Sequence, residues 1–152
     1  MSPSARHLRK GARHANYGMR MLHETASWLN ERIQEPIYSA ALESWAAHVR
    51  NLIEFFHTAS TRYPDTVRAE WYVADPIAWS KDLPPLSKRD RKRRVALHKH
   101  LTHISYERDG RKTHWSMKDD EIVLRRLRVF KKHLPKKRLA WCPDIDPYPR
   151  AA

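Results

Sequence analysis

The chain has 152 residues, one cysteine and a formal net charge of +13, from 30 Lys and Arg against 17 Asp and Glu. That length fits one domain with a core that needs no disulfide or metal staple, and a lone Cys142 excludes an internal disulfide. No apolar run approaches the roughly 18 residues that span a bilayer, and the basic start has no apolar stretch behind it, so a soluble, non-secreted, cytoplasmic protein is expected.

Residues 1–13 carry Arg and Lys without an acid and are expected to form a disordered basic tail, followed by a helical bundle domain over 14–135. Three glycines and long apolar patterns at helical spacing predict an all-α fold. The first helix is expected from about Ala15 to Arg32, with Gly18, Leu22, Thr25, Ala26, Leu29 and Ile33 on its inner stripe, until Pro36 breaks it. The second, from about Pro36 to Thr58, is apolar almost all round: Ile37, Ala41, Leu42, Trp45, Ala46, Val49, Leu52, Ile53, Phe55 and Phe56. Such a helix belongs at the centre, packed on several sides.

Residues 60–85 form a proline-bearing connection that also holds Trp71, Tyr72, Val73, Ile77 and Trp79, so a long ordered loop with one short helical turn is expected. A third helix should run from Leu86 or Ser87 to about Ser105, with Val95, Leu97, Leu101 and Ile104 facing inward. Asp109-Gly110 marks a tight turn, with a short two-strand excursion through Tyr106 and Trp115 open as an alternative. Ser116 and Asp119 have capping-box spacing for a fourth helix, whose Ile122, Val123, Leu127 and Phe130 face the core until Pro135. The remainder, 136–152, is proline-rich and expected to be irregular. The sum is a four-helix up-and-down bundle with a long ordered loop between its second and third helices.

The charge points to a polyanionic partner, with RNA or DNA ahead of an acidic membrane surface. Lys88, Arg89, Arg91, Lys92, Arg93 and Arg94 form one cluster; Arg125, Arg126, Arg128, Lys131, Lys132, Lys136, Lys137 and Arg138 form another. Lys88 to Arg94 together with Arg125, Arg128 and Lys132 are the candidate phosphate contacts, and solvated helix faces are the alternative.

One constellation could carry chemistry. Arg50, Glu54 and His57 stand at i, i+4 and i+7 on the second helix, with Asn51 beside Arg50, so they share a stripe. Histidine can serve as base or acid near neutral pH and the arginine fork matches phosphate oxygens, so the stripe carries functional groups that could do chemistry. The spacing alone carries little weight in so basic a chain, since Arg94 to His100, Arg108 to His114 and Arg126 to His133 repeat it. The alternative is a polar stripe of Glu43, Arg50, Glu54 and His57 with an Arg50–Glu54 ion pair contributing about 0.3–0.5 kcal/mol. His48, beside Trp45 and Leu52, reads as a buried, hydrogen-bonded histidine. His98, His100 and His103 diverge around a helix without a carboxylate or thiol among them, so no metal and no cofactor is expected. The six tryptophans read as core or loop packing, not as a base-stacking platform.

The segment Trp45-Ala-Ala-His48-Val-Arg50-Asn51-Leu52-Ile53-Glu54-Phe55-Phe56 resembles the "F-L-x-H-x-R-N-L-x-D/E-F-F" helix of a group of uncharacterised bacterial HEPN-like proteins. Val67 to Tyr72, Leu83 to Ser87 and His100 to Arg108 agree with that group in order and spacing, the last resembling a "K-x-I-A-H-L-T-Y-x-R" helix end; the likeness covers roughly Ala40 to Phe130. The resemblance implies a HEPN-type bundle that often dimerises, whose active members are metal-independent endoribonucleases of toxin, abortive-infection and RNA-processing systems. Their signature, Arg, a polar residue, then His after four to six positions, is met by Arg50, Asn51 and His57. The recurrent histidines of the similar group match His48 and His103 instead, so His103 is the preferred partner of Arg50. Expected on this basis is a homodimeric RNA-binding protein with Arg50, Asn51, His103 and His57 as candidate catalytic residues and a possible antitoxin or other protein partner. The alternative is a catalytically inert nucleic-acid-binding or protein-interaction module of the same fold.

Overall fold

The computed structural model describes residues 3–31, 33–57, 66–101 and 120–146, the side chains of 98–101 excepted. They form six α-helices: α1 Ala5–Asn30, α2 Ile37–His57, α3 Pro76–Asp82, α4 Lys88–Leu101, α5 Glu121–His133 and α6 Lys136–Leu139. Single 3-10 turns lie at Ala69–Trp71 and Pro143–Ile145, and no strand occurs among the described residues. No helix among them is long and apolar enough to cross a membrane.

The all-α expectation holds, with two more helices than four. The basic start is no disordered tail: α1 begins ten residues before Ala15, capped by Ser4, whose Oγ accepts the His7 N–H at 3.3 Å. Leu8, Ala12, Ala15, Met19 and Leu22 explain why, since their spacing of four and three extends one apolar stripe through both halves of the helix. Burying a side chain such as Met19 or Leu22 contributes about 1.5–3 kcal/mol, enough to order a charged segment on its opposite face.

Helix α2 is central as expected, packing on α1, α4, α5 and the Ala69–Trp71 turn. Trp45, Ala46, Val49, Leu52, Ile53, Phe55 and Phe56 are buried along it, while Ile37 at its first turn is exposed. Phe55 and Phe56 join Tyr72, Trp79 and Phe130 in an aromatic cluster with ring centroids 5.1–6.5 Å apart. Tilted and edge-on pairs of this kind add about 0.5–1.5 kcal/mol each beyond area burial. Trp79 reaches the cluster on α3, the short helix expected within the ordered connection: Asp75 caps it through the Ile77 and Ala78 N–H groups at 2.8 and 3.0 Å, and Pro76 occupies its first turn.

Helix α4 opens on a capping box, with the Asp90 N–H on Ser87 Oγ and the Ser87 N–H on Asp90 Oδ2, both at 3.1 Å. Leu97 is buried, but Val95 is half exposed, contrary to the inward placement expected for it. The reason is angular: Asp90, Arg94 and Leu97 share the inner face, and Val95 sits about 200° around the helix from Leu97. Helix α5 buries Ile122, Val123, Leu127 and Phe130 as expected, together with Arg126. Residues 136–146 are no irregular tail either, since Cys142 and Ile145 are buried and α6 precedes them. Burial pushes the Cys142 thiol up to about 11, which keeps it protonated. The Asp109-Gly110 turn, the Tyr106–Trp115 excursion and the Ser116–Asp119 capping box lie outside the described residues.

Candidate nucleic-acid interface

The Arg50 stripe is assembled as an ion-paired face. Arg50 Nε donates to Glu54 Oε1 at 3.2 Å, one turn along α2, with the two side chains 25% and 45% exposed. Asn51 is exposed and lines a cavity of about 350 Å³ between α1 and α2, shared with His14, Tyr17, His48 and Thr66. Tyr17 packs edge-on against the His48 ring at 5.5 Å, and burial lowers the pKa of His48, keeping it neutral at pH 7. His48 is thus half-buried and packed on a ring.

His57 points elsewhere. Its Nε2 accepts the Nε–H of Arg126 from α5, so that nitrogen is unprotonated and engaged. Burial, then the Arg126 and Arg94 charges, push the imidazole down to about 4 against an opposing effect of Asp90. A ring so held is a hydrogen-bond acceptor inside the fold. His103 lies outside the described residues, as do the side chains of His98 and His100.

Arg126 itself corrects the reading of the second basic cluster as a solvated face. It is 1% exposed and donates to His57, to the Ile122 carbonyl, and to the Pro84 and Pro85 carbonyls at 2.9 and 3.1 Å, with Asp90 Oδ2 4.0 Å away. One guanidinium therefore ties the end of α2, the segment before α4, and α5. Its place on the stripe Ile122, Arg126, Phe130 was the available signal.

The remaining cations of that cluster are mostly engaged. Arg125 and Arg128 share Glu121 at 3.8 and 3.1 Å, Lys132 holds Asp82 at 2.8 Å, and Lys131 holds Asp146 at 2.6 Å. Arg138 donates to the Trp71 carbonyl at 2.9 Å. Helix α4 differs. Lys88, Arg89, Arg91 and Lys92 are exposed, with no ion pair to a described residue, while Arg93 and Arg94 are half-buried. The one carboxylate in their run, Asp90, is only 13% exposed: it caps Ser87 and faces Arg126. Turning that acid inward leaves the outer face of α4 with cations as its only charges, beside the half-exposed Val95.

A second basic face was missed at the sequence level. Arg9, Arg13 and Arg20 on α1 line a cavity of about 530 Å³ with Asn16, Tyr17 and Trp141. The Arg9 guanidinium lies 5.6 Å from the centre of the Trp141 ring, and that of Arg20 lies 5.6 Å from Tyr17. Asn16 clips the C-terminal segment onto α1: its Nδ2 donates to Asp144 Oδ2 at 2.6 Å and its Oδ1 accepts the Asp144 N–H at 2.9 Å. Among the described residues no cluster of three or more histidines, cysteines and carboxylates is placed to hold a metal.

Compared with known proteins, the chain matches no family model, no curated protein and no solved structure.

Proposed function

We propose that the chain is an RNA-binding helical protein of HEPN-like type that grips phosphates through the outer face of α4. The observation that carries this is the inward turn of Asp90, which leaves Lys88, Arg89, Arg91 and Lys92 exposed on a capped helix with no ion pair to a described residue. Four such contacts release condensed counterions on binding, the dominant source of sequence-independent affinity. RNA takes precedence over DNA through the likeness of the Arg50-Asn51 helix to HEPN-like proteins, and self-association as a homodimer belongs to the same proposal. Binding is favoured over cleavage because Arg50 is paired with Glu54 and the ring nitrogen of His57 is engaged by Arg126.

The test is titration of a labelled single-stranded RNA at several salt concentrations. The four α4 contacts at about −0.7 each contribute about −3 to the slope of log K against log salt, and Lys88→Gln with Arg91→Gln should make the slope shallower by about 1.4. No binding at low salt, or an unchanged slope in the double variant, overturns the proposal. Total RNA incubated in EDTA should be degraded no faster by the wild type than by Arg50→Ala; a clear excess would restore the nuclease alternative.

A further inference from the structure

We propose that the cleft between α1 and residues 140–143 is a single-strand subsite, which takes unstacked bases against Trp141 at one end and Tyr17 at the other, and the phosphates between them on Arg9, Arg13 and Arg20. The subsite rests on the RNA-binding function proposed above, but on residues of a different face.

The cleft has the size of a small-ligand site, about 530 Å³ in a range of roughly 300–1,000 Å³. Its long wall is one helix face. Arg9, Arg13, Asn16, Tyr17 and Arg20 recur at intervals of four, three, one and three residues, on a face that flanks the buried stripe Leu8, Ala12, Ala15, Met19. From Arg9 to Arg20 the helix rises about 16 Å, so the arginines form a track rather than a point site. Arg9 and Arg13 have no carboxylate partner among the described residues, and Arg20 holds Glu24 only at 3.8 Å. Asp144, just beyond the opposite wall, accepts the Asn16 amide on its carboxylate and donates its backbone N–H to Asn16 Oδ1. That clip, with the burial of Cys142 and Ile145 on either side, seats Trp141 against Arg9.

An aromatic ring beside a guanidinium stands at each end, Trp141 with Arg9 and Tyr17 with Arg20. Stacking on rings and guanidinium planes, with cations tracking the backbone, is how proteins hold single strands whatever their sequence. A duplex keeps its bases stacked on each other and cannot offer one to the cleft. An acidic peptide would satisfy the arginines but has no flat ring in every residue to use both aromatic ends. Tyr17 also walls the cavity that holds His48 and Asn51, so a strand leaving the cleft past Tyr17 runs toward that groove.

The full chain is titrated with a labelled 12-nucleotide single-stranded RNA and with a blunt duplex of the same sequence. Trp141→Leu is expected to weaken single-strand binding about 5- to 100-fold while leaving the duplex unchanged, since each stacked base is worth that much. Arg13→Gln, an exposed change that leaves the core intact, should weaken single-strand binding several-fold, and thermal unfolding checks that both variants fold. On the wild type, a 4-thiouridine strand should photo-crosslink to the peptides bearing Tyr17 or Trp141. Equal losses for strand and duplex, no loss in either variant, or crosslinks confined to α4 would overturn the subsite and leave the α4 proposal standing. Displacement of the strand by free nucleoside triphosphate at lower concentration than by unlabelled strand would overturn the strand as ligand. If no RNA binds at any salt concentration, the α4 proposal and the subsite fall together.

Discussion

Acidification isolates the contact between His57 and Arg126. The imidazole is pushed from 6.5 down to about 4, first by burial and then by the Arg126 and Arg94 charges. Between those values the unfolded chain binds a proton that the folded chain refuses, so stability rises with pH across the window. The contribution is complete above about pH 6.5 and lost as pH falls to about 4. A shift of 2.5 units at about 1.36 kcal/mol each sets a ceiling near 3.4 kcal/mol; the ring is only half-buried, and screening by solvent brings the expected effect to about 2 kcal/mol. His57→Gln retains an oxygen to accept the Arg126 N–H and has nothing to titrate. Urea unfolding followed by helical circular dichroism at pH 7, 5.5 and 4 should show the wild type losing about 2 kcal/mol more than His57→Gln. His23 and His48, also lowered by burial, and the depressed carboxylates of Asp75 and Asp82 titrate in both proteins and cancel in the difference. Parallel pH profiles would refute the assignment of His57 as an unprotonated acceptor of the Arg126 N–H.

Periodicity made the interior legible where a stripe was apolar and uninterrupted. Trp45, Val49, Leu52, Ile53 and Phe56 announced a central helix, and Ile122, Val123, Leu127 and Phe130 announced its partner on α5. It failed where charge masked the stripe. In residues 5–13 only Leu8 and Ala12 continue the pattern among basic residues, so composition outweighed a spacing that the fold uses in full. The cleft on α1 was invisible for a second reason: Trp141 meets Arg9 and Asp144 meets Asn16 across nearly the whole chain, and no local pattern encodes a contact of that separation. The Arg50 and Glu54 pair, being four residues apart on one helix, was legible; the capture of His57 by Arg126 from another helix was not.

The helical glycines on α1 give opposite predictions. A Cβ on Gly11 would meet Tyr72 Oη at 2.5 Å and Val67 at 2.9 Å, displacing the hydroxyl from its 3.0 Å bond to the Leu8 carbonyl, whereas one on Gly18 meets nothing closer than Leu52 at 3.7 Å. Gly11→Ala should therefore destabilise by about 1–3 kcal/mol and Gly18→Ala should stabilise by about 0.5–1 kcal/mol in urea unfolding; the same sign for both would refute the packing of α1 on residues 67–72. Arg126 carries a prediction that joins the core to the proposed interface. Among the described residues the buried guanidinium is the ion-pair partner of Asp90, beside its bond to the Ser87 N–H, and that posture leaves α4 without a carboxylate on its outer face. Arg126→Met keeps most of the volume but strands the Pro84 and Pro85 carbonyls, a cost of about 2–4 kcal/mol, and releases Asp90 toward Arg91 and Lys92. RNA affinity should then fall more than in Lys136→Met, which removes the same unit of charge from an exposed position, and Asp90→Asn added to Arg126→Met should recover the difference. Since Asp90 and Arg126 touch no proposed phosphate contact, recovery of affinity would place the charge of the α4 face under the control of a buried residue. Equal losses in Arg126→Met and Lys136→Met would leave only the bulk charge as the cause.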